Sequence, residues 1–326
     1  ETRHGAQQDQ HLPRDLSYSL PRYMENVAPG RNGGGWFDPF ECDRIDTYLE
    51  QAYLTAFAKS KEIMMFCWSA IYNNKRATPL GFQFEQIDKI MQYCGTPVGL
   101  KTYIPFNSCG EDHLEDYLGM IGLPIEPVPD FPKFEGESGN KNTVFLTQSS
   151  LTDKNIFEKI KNYMTKGGTV IVSSGFVVKA LKNNENALKE FSSISYNNKT
   201  LEADEFQVTV QGLYGRNYVN SKNPVSFPLI EHRNNATWSK LNAGHGEYRE
   251  SILMYDTYSK GKFVVINLPE MPSKIKDLPK EVLTAFRHEL KADLKIWIDC
   301  GYGVSLFTYD NRVFGLYCYT NDGCAP

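Results

Sequence analysis

Glu25 stands in the segment YMENVAPG, at the end of a predicted short strand (Arg22–Asn26) that runs into a glycine-rich loop. Trp36 lies in that loop, and Trp68 closes the next predicted strand. A carboxylate at the carboxyl end of a strand, with aromatic rings on the same rim, has the chemistry needed to cleave a glycosidic bond. The acid would react with the sugar and the rings would stack on it. The alternative is a surface glutamate paired with a neighbouring arginine.

The elements that would position these side chains form a strand–helix–strand unit. Residues 43–60 place apolar side chains at helical spacing behind Asp43, which suits an N-cap. The run IMMFCW that follows lacks polar alternation, which is typical of a strand buried on both faces of a parallel sheet. The pattern predicts a right-handed βαβ crossover, followed by a second helix from Phe84 to Tyr93.

After a boundary near Gly95 the chain alternates between strands and helices. The predicted strands are Val98–Ile104, Pro124–Pro127, Thr143–Leu146 and Thr169–Ser173, and the predicted helices are Asp112–Gly119 and Asp153–Thr165. This rhythm is that of a doubly wound α/β sheet.

Beyond about Leu201 the apolar period shifts toward two residues, which indicates strands in FQVTV, ESILMY, KFVVINL, LKIWI, VSLFTY and VFGLYCY. One helix is predicted from Lys280 to Leu290, and the Asn-, Lys- and Glu-rich stretch 182–199 is predicted to be a solvated surface segment. The last part of the chain is therefore expected to be rich in β-structure.

Composition excludes several classes of protein. The 326 residues are 41% hydrophobic and 23% charged, which excludes a disordered or fibrous chain. The net charge of −4, without a long basic run, argues against a nucleic-acid partner. The longest apolar stretches fall far short of the ~20 residues of a membrane helix, so no membrane partner is expected.

The seven cysteines form no C-x-x-C pair and no Cys/His cluster at zinc spacing. The sequence therefore predicts neither a metal site nor a cofactor. Cys109 raises the alternative of a thiol-dependent amidotransferase or peptidase, but no G-x-C-x-G elbow surrounds it. The domain that contains it is predicted to be catalytically silent.

The segments PRYMENVAPGRNGGGW and KEIMMFCWSA, followed by the α/β and β-rich regions, resemble the C-terminal portion of retaining β-galactosidases of glycoside hydrolase family 42 and related clan A enzymes. The resemblance implies that Glu25 is the nucleophile at the end of barrel strand seven and that Trp68 is the tryptophan of strand eight. It also implies that Trp36 lines the sugar site. Arg3 and His4 are further candidates for contact with substrate, at the end of strand six.

The resemblance implies three regions: the end of a (β/α)8 barrel in residues 1–94, an amidotransferase-like α/β domain in 95–274, and a β-rich, sandwich-like domain in 275–326. A whole barrel takes about 250 residues, and the acid/base has no counterpart here. The chain is therefore expected to be part of a longer enzyme and inactive alone. The implied partners are an oligo- or polysaccharide substrate and further copies of the chain, bound through the amidotransferase-like domain. The alternative is a non-catalytic carbohydrate-binding or assembly protein.

Overall fold

The computed structural model describes residues 12–319 apart from 38, 41, 43, 74, 137–141, 210–215, 233 and 292–293. Its helices are α1 (Leu16–Val27), α2 (Ile45–Phe57), α3 (Trp68–Asn73), α4 (Ala77–Met91), α5 (Leu114–Gly119), α6 (Ile156–Thr165), α7 (Ser174–Lys189) and α8 (Lys280–Leu290). Two short 3-10 helices span Gln148–Thr152 and Pro272–Asp277.

The strands are β1 (Gly34–Phe37), β2 (Glu62–Met65), β3 (Pro97–Val98), β4 (Leu100–Tyr103), β5 (Ile125–Val128), β6 (Thr143–Leu146), β7 (Thr169–Ser173), β8 (Ile194–Thr209), β9 (Arg216–His232), β10 (Trp238–His245), β11 (Tyr248–Tyr258), β12 (Gly261–Ile266), β13 (Val304–Tyr309) and β14 (Phe314–Cys318). They form sheets of two, nine and three strands. The fold is therefore mixed α/β with one large sheet.

The two-stranded sheet, formed by β1 and β2, lies in the N-terminal region. β1 and β2 run parallel, with Gly34 opposite Glu62 and Phe37 opposite Met65, and α2 connects them. A core beneath one face joins the strands to α2 and α4; its buried members include Phe37, Tyr48, Ala52, Ile71, Leu80 and Ile87. The predicted order of strand, helix and parallel strand is thus present, but its first strand is GGWF.

Residues 22–26, predicted as a strand, lie in helix α1 instead. The prediction was wrong because α1 buries polar side chains, Ser19 and Arg22 among them, rather than an apolar stripe. Ser19 donates a hydrogen bond to Asp116, and Arg22 donates to Glu126. These partners lie about a hundred residues away in the chain, so the apolar periodicity of the local sequence does not predict the helix.

The glycine run predicted to form a turn opens β1. At Gly34, φ is 126°, and an added Cβ would lie 1.7 Å from the carbonyl oxygen of Glu62. Only glycine allows this backbone conformation and so close an approach between two strands. The glycines therefore serve strand pairing here, which explains why a strand was not expected.

Strand β2 is not buried on both faces as predicted. Ile63 packs against the core under α2, but Met64, Met65 and Phe66 are 50%, 39% and 46% exposed. One face of the β1–β2 pair is therefore left uncovered by the described residues.

The nine-stranded sheet has the order β5-β4-β6-β7-β12-β11-β10-β8-β9. The first five strands are parallel. Numbered by their order along the chain, they stand in the sheet as 2-1-3-4-5, which is a doubly wound arrangement. From β12 onward the neighbours are antiparallel. Two buried cores fill the space on either side of the sheet, one with α5 and α8 and the other with α6 and α7.

Most predicted elements of this region are confirmed. β6, β7 and α8 have the predicted bounds, and β4, β5, α5 and α6 lie within a few residues of theirs. Helix α7 enters the stretch 182–199 that was predicted to be a surface segment, and β9 and β10 were missed. The run LKIWI (294–298) forms no strand.

The C-terminal sheet has the order β14-β13-β3, with all neighbours antiparallel. The hairpin β13–β14 thereby meets the short strand that precedes the large sheet. The division of the chain into residues 1–94, 95–274 and 275–326 stays a prediction.

Candidate functional site

The carboxyl ends of β1 and β2 carry exposed aromatic side chains. Trp68 is the third residue after β2, begins α3 and is 69% exposed. Its ring stacks on Tyr72, with centroids 6.2 Å apart and planes inclined by 29°. Tyr72 is itself 67% exposed. The pair offers flat apolar faces to solvent at the edge where parallel α/β structures bind their ligands.

Trp36 lies within β1 rather than in a loop, and the structure brings it next to the end of β2. Its ring meets Phe66 edge to face at 5.7 Å, and Phe40 lies 6.0 Å from the same Phe66 ring. Sequence reasoning missed Phe40, Phe66 and Tyr72. For Tyr72 the signal was its spacing of four residues from Trp68, which places both on one face of a helix.

An open apolar cavity of about 840 Å³ lies along the uncovered face of this strand pair. It is bounded by Leu20 and Met24 of α1 and by Trp36, Met64 and Phe66. In strand β1, Trp36 points to the face opposite Phe37, which is buried against α2. The cavity therefore lies away from α2 and reaches the carboxyl end of β2 at Phe66.

Glu25 lies at the opposite end of the strands. It belongs to α1, and its Oε1 accepts a hydrogen bond from the backbone N–H of Gly30 at 2.7 Å. It lines a separate cavity together with Lys59 and Lys61, the residues that lead into β2. The prediction that Glu25 ends a strand was wrong, because residues 22–26 belong to helix α1. The carboxylate of Glu25 faces the amino ends of β1 and β2. The nucleophile role stays a prediction, and this geometry gives it no support.

Two other predicted substrate contacts, Arg3 and His4, lie outside the described residues. In the sequence, Asp38 is the first residue after β1 and Glu41 the fourth, and both also lie outside the described residues. The signal missed here is the strand GGWF itself, since the acids that follow it are the ones expected at a carboxyl end.

Buried polar contacts fix α1 to the rest of the fold. Asp15 accepts hydrogen bonds from Ser305 Oγ at 2.9 Å and from the hydroxyl of Tyr319 at 3.2 Å. Burial raises the pKa of Asp15 to about 8, and the nearby Asp116 carboxylate adds to the rise. The orientation of α1, and with it that of Glu25, is therefore set by contacts outside the strand pair.

The substitution Asp15→Asn is expected to remove a pH dependence of stability. A carboxyl group has a pKa near 3.9 in an unfolded chain, so the native protein keeps a proton on Asp15 that the unfolded chain releases between about pH 4 and pH 8. The free energy of unfolding of the wild type falls as the pH rises through this range, by up to about 1.4 kcal/mol per pH unit. The variant should therefore gain stability relative to the wild type from pH 5.5 to pH 8, measured by urea unfolding.

The control for this measurement is Asp88→Asn, which changes an exposed acid of α4. Its unfolding free energies should run parallel to those of the wild type. Parallel curves for Asp15→Asn as well would show that the native protein does not hold the extra proton on Asp15.

In the large sheet, Glu111 fills the crevice at the carboxyl ends of β6 and β7. Its carboxylate accepts hydrogen bonds from the N–H of Gln148 at 2.7 Å, the N–H of Gly175 at 2.9 Å and the hydroxyl of Ser173. Burial raises the pKa of Glu111 despite these bonds. A side chain of the protein thus fills the edge of the sheet next to the switch point between β4 and β6, where doubly wound sheets bind ligands.

The thiol alternative gains no support from this region. Cys109 is exposed, and His113, the histidine nearest to it in sequence, pairs instead with Asp116 at 2.9 Å. Across the part of the chain that the structure describes, no three His, Cys, Asp or Glu side chains form a group able to hold a metal ion. No helix within those same residues has the length and apolarity to cross a membrane.

Comparison with known proteins assigns the larger part of the chain. Residues 95–271, more than half of it, match the family model of the second domain of the uncharacterized protein SSO3021. The chain belongs to this family. Residues 1–101 match a second model, described as a probable glycosyl hydrolase, catalytic domain. The chain thus has a glycoside hydrolase-like relationship.

A curated relative is similar to the chain over most of its length. The uncharacterized protein SSO3021 of Saccharolobus solfataricus is 24% identical over 290 residues, which cover 81% of this chain and 45% of the relative. The chain therefore spans less than half the length of that relative.

Solved structures share the fold. The α-L-fucosidase isoenzyme 2 from Paenibacillus thiaminolyticus has a TM-score of 0.56 at 12% identity, and the match covers 90% of this chain and 50% of the fucosidase chain. A β-galactosidase from Bacillus circulans sp. alkalophilus has a TM-score of 0.54 at 10% identity, over 91% of this chain and 50% of its own. Gan42B, a GH42 β-galactosidase, has a TM-score of 0.52 at 11% identity, and the match covers 91% of this chain and 49% of Gan42B. The resemblance to family 42 therefore extends to the fold.

Proposed function

We propose that the chain is the C-terminal part of a glycoside hydrolase of the retaining, β-galactosidase-like type. In this proposal residues 1–94 contribute the last strands, β1 and β2, of a catalytic barrel. Residues 95–274 form an amidotransferase-like domain that serves assembly, and residues 275–326 form the β-rich end. The observation that carries the proposal is that the segment similar to a glycosyl hydrolase catalytic domain also bears the exposed aromatic edge.

The roles of the side chains follow from their positions. Trp68, supported by Tyr72, would stack on a sugar ring at the carboxyl edge, and Trp36 would close the inner side of the site. Retaining hydrolysis needs two carboxyl groups about 5 to 5.5 Å apart. The nucleophile would come from the carboxyl end of β1, and the acid/base from the part of the barrel that this chain does not contain.

The proposal is tested by replacing Trp68 in a longer form of the protein that contains the whole catalytic domain. Trp68→Ala should lower kcat/KM for an aryl glycoside by up to about tenfold, since an aromatic stacking contact is worth roughly 0.5–1.5 kcal/mol. Trp68→Phe should retain most of the activity because it keeps an apolar face.

The matched control is Trp238→Ala, which removes another exposed tryptophan, 63% exposed, at the start of β10. This variant should stay within about twofold of the wild type. An equal loss in both variants, or none in Trp68→Ala, would contradict a sugar site at the carboxyl edge.

One observation favours a second candidate function, that of a non-catalytic carbohydrate-binding or assembly protein. Within the described residues β1 and β2 form a sheet of only two strands, which provides no further parallel strand to hold the second carboxylate that a retaining glycosidase needs. The chain alone should therefore bind saccharides without cleaving them. Hydrolysis of an aryl glycoside by the chain alone would refute this candidate and the incomplete-site proposal together.

A further inference from the structure

A second cavity, lined mainly by charged and polar residues, lies at the amino ends of β1 and β2. Its volume of about 500 Å³ falls within the range of pockets that hold small molecules. The end of α1, the segments that lead into both strands, residues 95–97 and Asp310 form its walls. The strand pair therefore has one cavity along its uncovered face and another at its amino ends, and the two differ in the residues that line them.

Two carboxylates line this cavity with hydrogen-bonding capacity to spare. Glu25 uses Oε1 to accept from Gly30, and Asp310 uses Oδ1 to accept from the N–H of Thr96 at 2.9 Å. In the described part of the chain neither acid is in an ion pair of 4 Å or less. Each therefore keeps an oxygen with which to accept a hydrogen bond from a ligand.

The cations of the cavity balance these acids. Arg22 is neutralised by the buried Glu126. Lys59 donates to the carbonyl oxygens of Met91 at 3.1 Å and Cys94 at 2.7 Å, which leaves one of its three N–H groups. Lys61 adds a second ammonium group. With Arg22 paired, two positive and two negative side chains remain, so the cavity carries no net charge to select an ion.

We propose that this cavity binds a neutral polyhydroxylated molecule, a monosaccharide or sugar alcohol, with Glu25 and Asp310 accepting and Lys59 and Lys61 donating hydrogen bonds. A hydroxyl group donates and accepts at once, which matches a wall of alternating acceptors and donors. An apolar ligand would leave the two carboxylates and two ammonium groups without hydrogen-bond partners. An anion would lie close to Glu25 or Asp310, and a cation would lie close to Lys59 or Lys61. The proposal is independent of the proposed hydrolysis, because the site lies at the other end of the strands.

Gly95 gives the cavity its shape. An added Cβ there would lie 2.1 Å from Asp310 Oδ1, so even alanine must displace this carboxylate. Gly95→Ala should therefore weaken ligand binding without changing any charge in the cavity.

The test is calorimetric titration of the 326-residue chain with D-galactose, myo-inositol and, as an ionic probe, sodium phosphate. We expect saturable binding of at least one of the two polyols. Glu25→Gln and Asp310→Asn, which preserve side-chain shape, should each weaken it by about tenfold or more. Trp238→Ala, which changes an exposed tryptophan that lines neither cavity, should leave it unchanged, and circular dichroism verifies that every variant is folded.

Three results would overturn the inference. The first is an absence of saturable polyol binding. The second is saturable phosphate binding that Glu25→Gln strengthens, which would mark an anion site. The third is polyol binding that is lost in Trp68→Ala but kept in Glu25→Gln; it would place the sugar at the carboxyl edge and support the proposed function instead.

Discussion

Under the proposed function, Glu41→Gln in a longer form of the protein that contains the whole catalytic domain should abolish turnover of an aryl glycoside, whereas Glu25→Gln should retain it. Glu41 is the glutamate that follows β1 in the sequence, and the carboxyl end of a parallel strand is where a barrel holds its catalytic groups. Glu25 faces the amino ends beside Lys59 and Lys61. The loss of turnover in Glu41→Gln should far exceed the loss caused by removing a stacking ring, since no covalent glycosyl-enzyme could form.

The measurement is kcat for both variants, together with mass spectrometry of the protein after reaction with a mechanism-based fluorosugar. The label should appear on Glu41. Asp38→Asn serves as the neighbouring control, because it changes the other acid that follows β1. Loss of turnover in Glu25→Gln, with the label on Glu25, would show that Glu25 is the nucleophile, as the sequence resemblance implies. It would contradict the inference that the nucleophile follows the carboxyl end of β1.

The second large effect concerns the ion pair that ties α1 to β5. Arg22 and Glu126 are 5% and 8% exposed, and the guanidinium bonds both carboxylate oxygens, with Nε donating at 3.3 Å. Arg22→Met would leave the Glu126 carboxylate buried beside Asn26 alone. Removing one partner of a buried pair costs about 3–5 kcal/mol. We expect a loss of that size in the free energy of unfolding, measured with urea.

The double variant Arg22→Met with Glu126→Leu should recover most of that loss, because apolar replacements for both partners leave no buried charge. The matched control is Arg44→Met, which breaks the exposed pair with Asp46. Solvent screens that pair, so little change is expected. Equal stabilities of Arg22→Met and Arg44→Met would mean that the buried pair does not hold α1 in place.

Elements with a strong local pattern could be predicted from the sequence. Strand β6 is an apolar run, β7 follows the helix stop at Gly167 and Gly168, and α8 has clear amphipathic spacing. The elements that were missed depend on distant partners. Helix α1 buries polar groups against residues of β5 and α5, and β1 begins with glycines because its backbone touches that of β2. No property of a short window of sequence contains this information.

The candidate site shows the same division. Trp68 lies just beyond the carboxyl end of β2 because the first half of the apolar run, Ile63–Met65, does form a strand, although Trp68 begins α3 rather than closing that strand. Glu25 was misplaced because one wrong strand, Arg22–Asn26, moved the acid from one end of the sheet to the other. Conversely, placing GGWF as the strand would have directed attention to the acids that follow Phe37.

The outer borders of the β1–β2 pair have a consequence for handling the protein. Among the described residues each of these strands has one ladder partner, so a row of backbone N–H and C=O groups on each is left open. Such borders, next to exposed Met64 and Phe66, act as templates for strands of other molecules. The chain prepared alone is therefore expected to self-associate as its concentration rises, and light scattering during a concentration series would follow it.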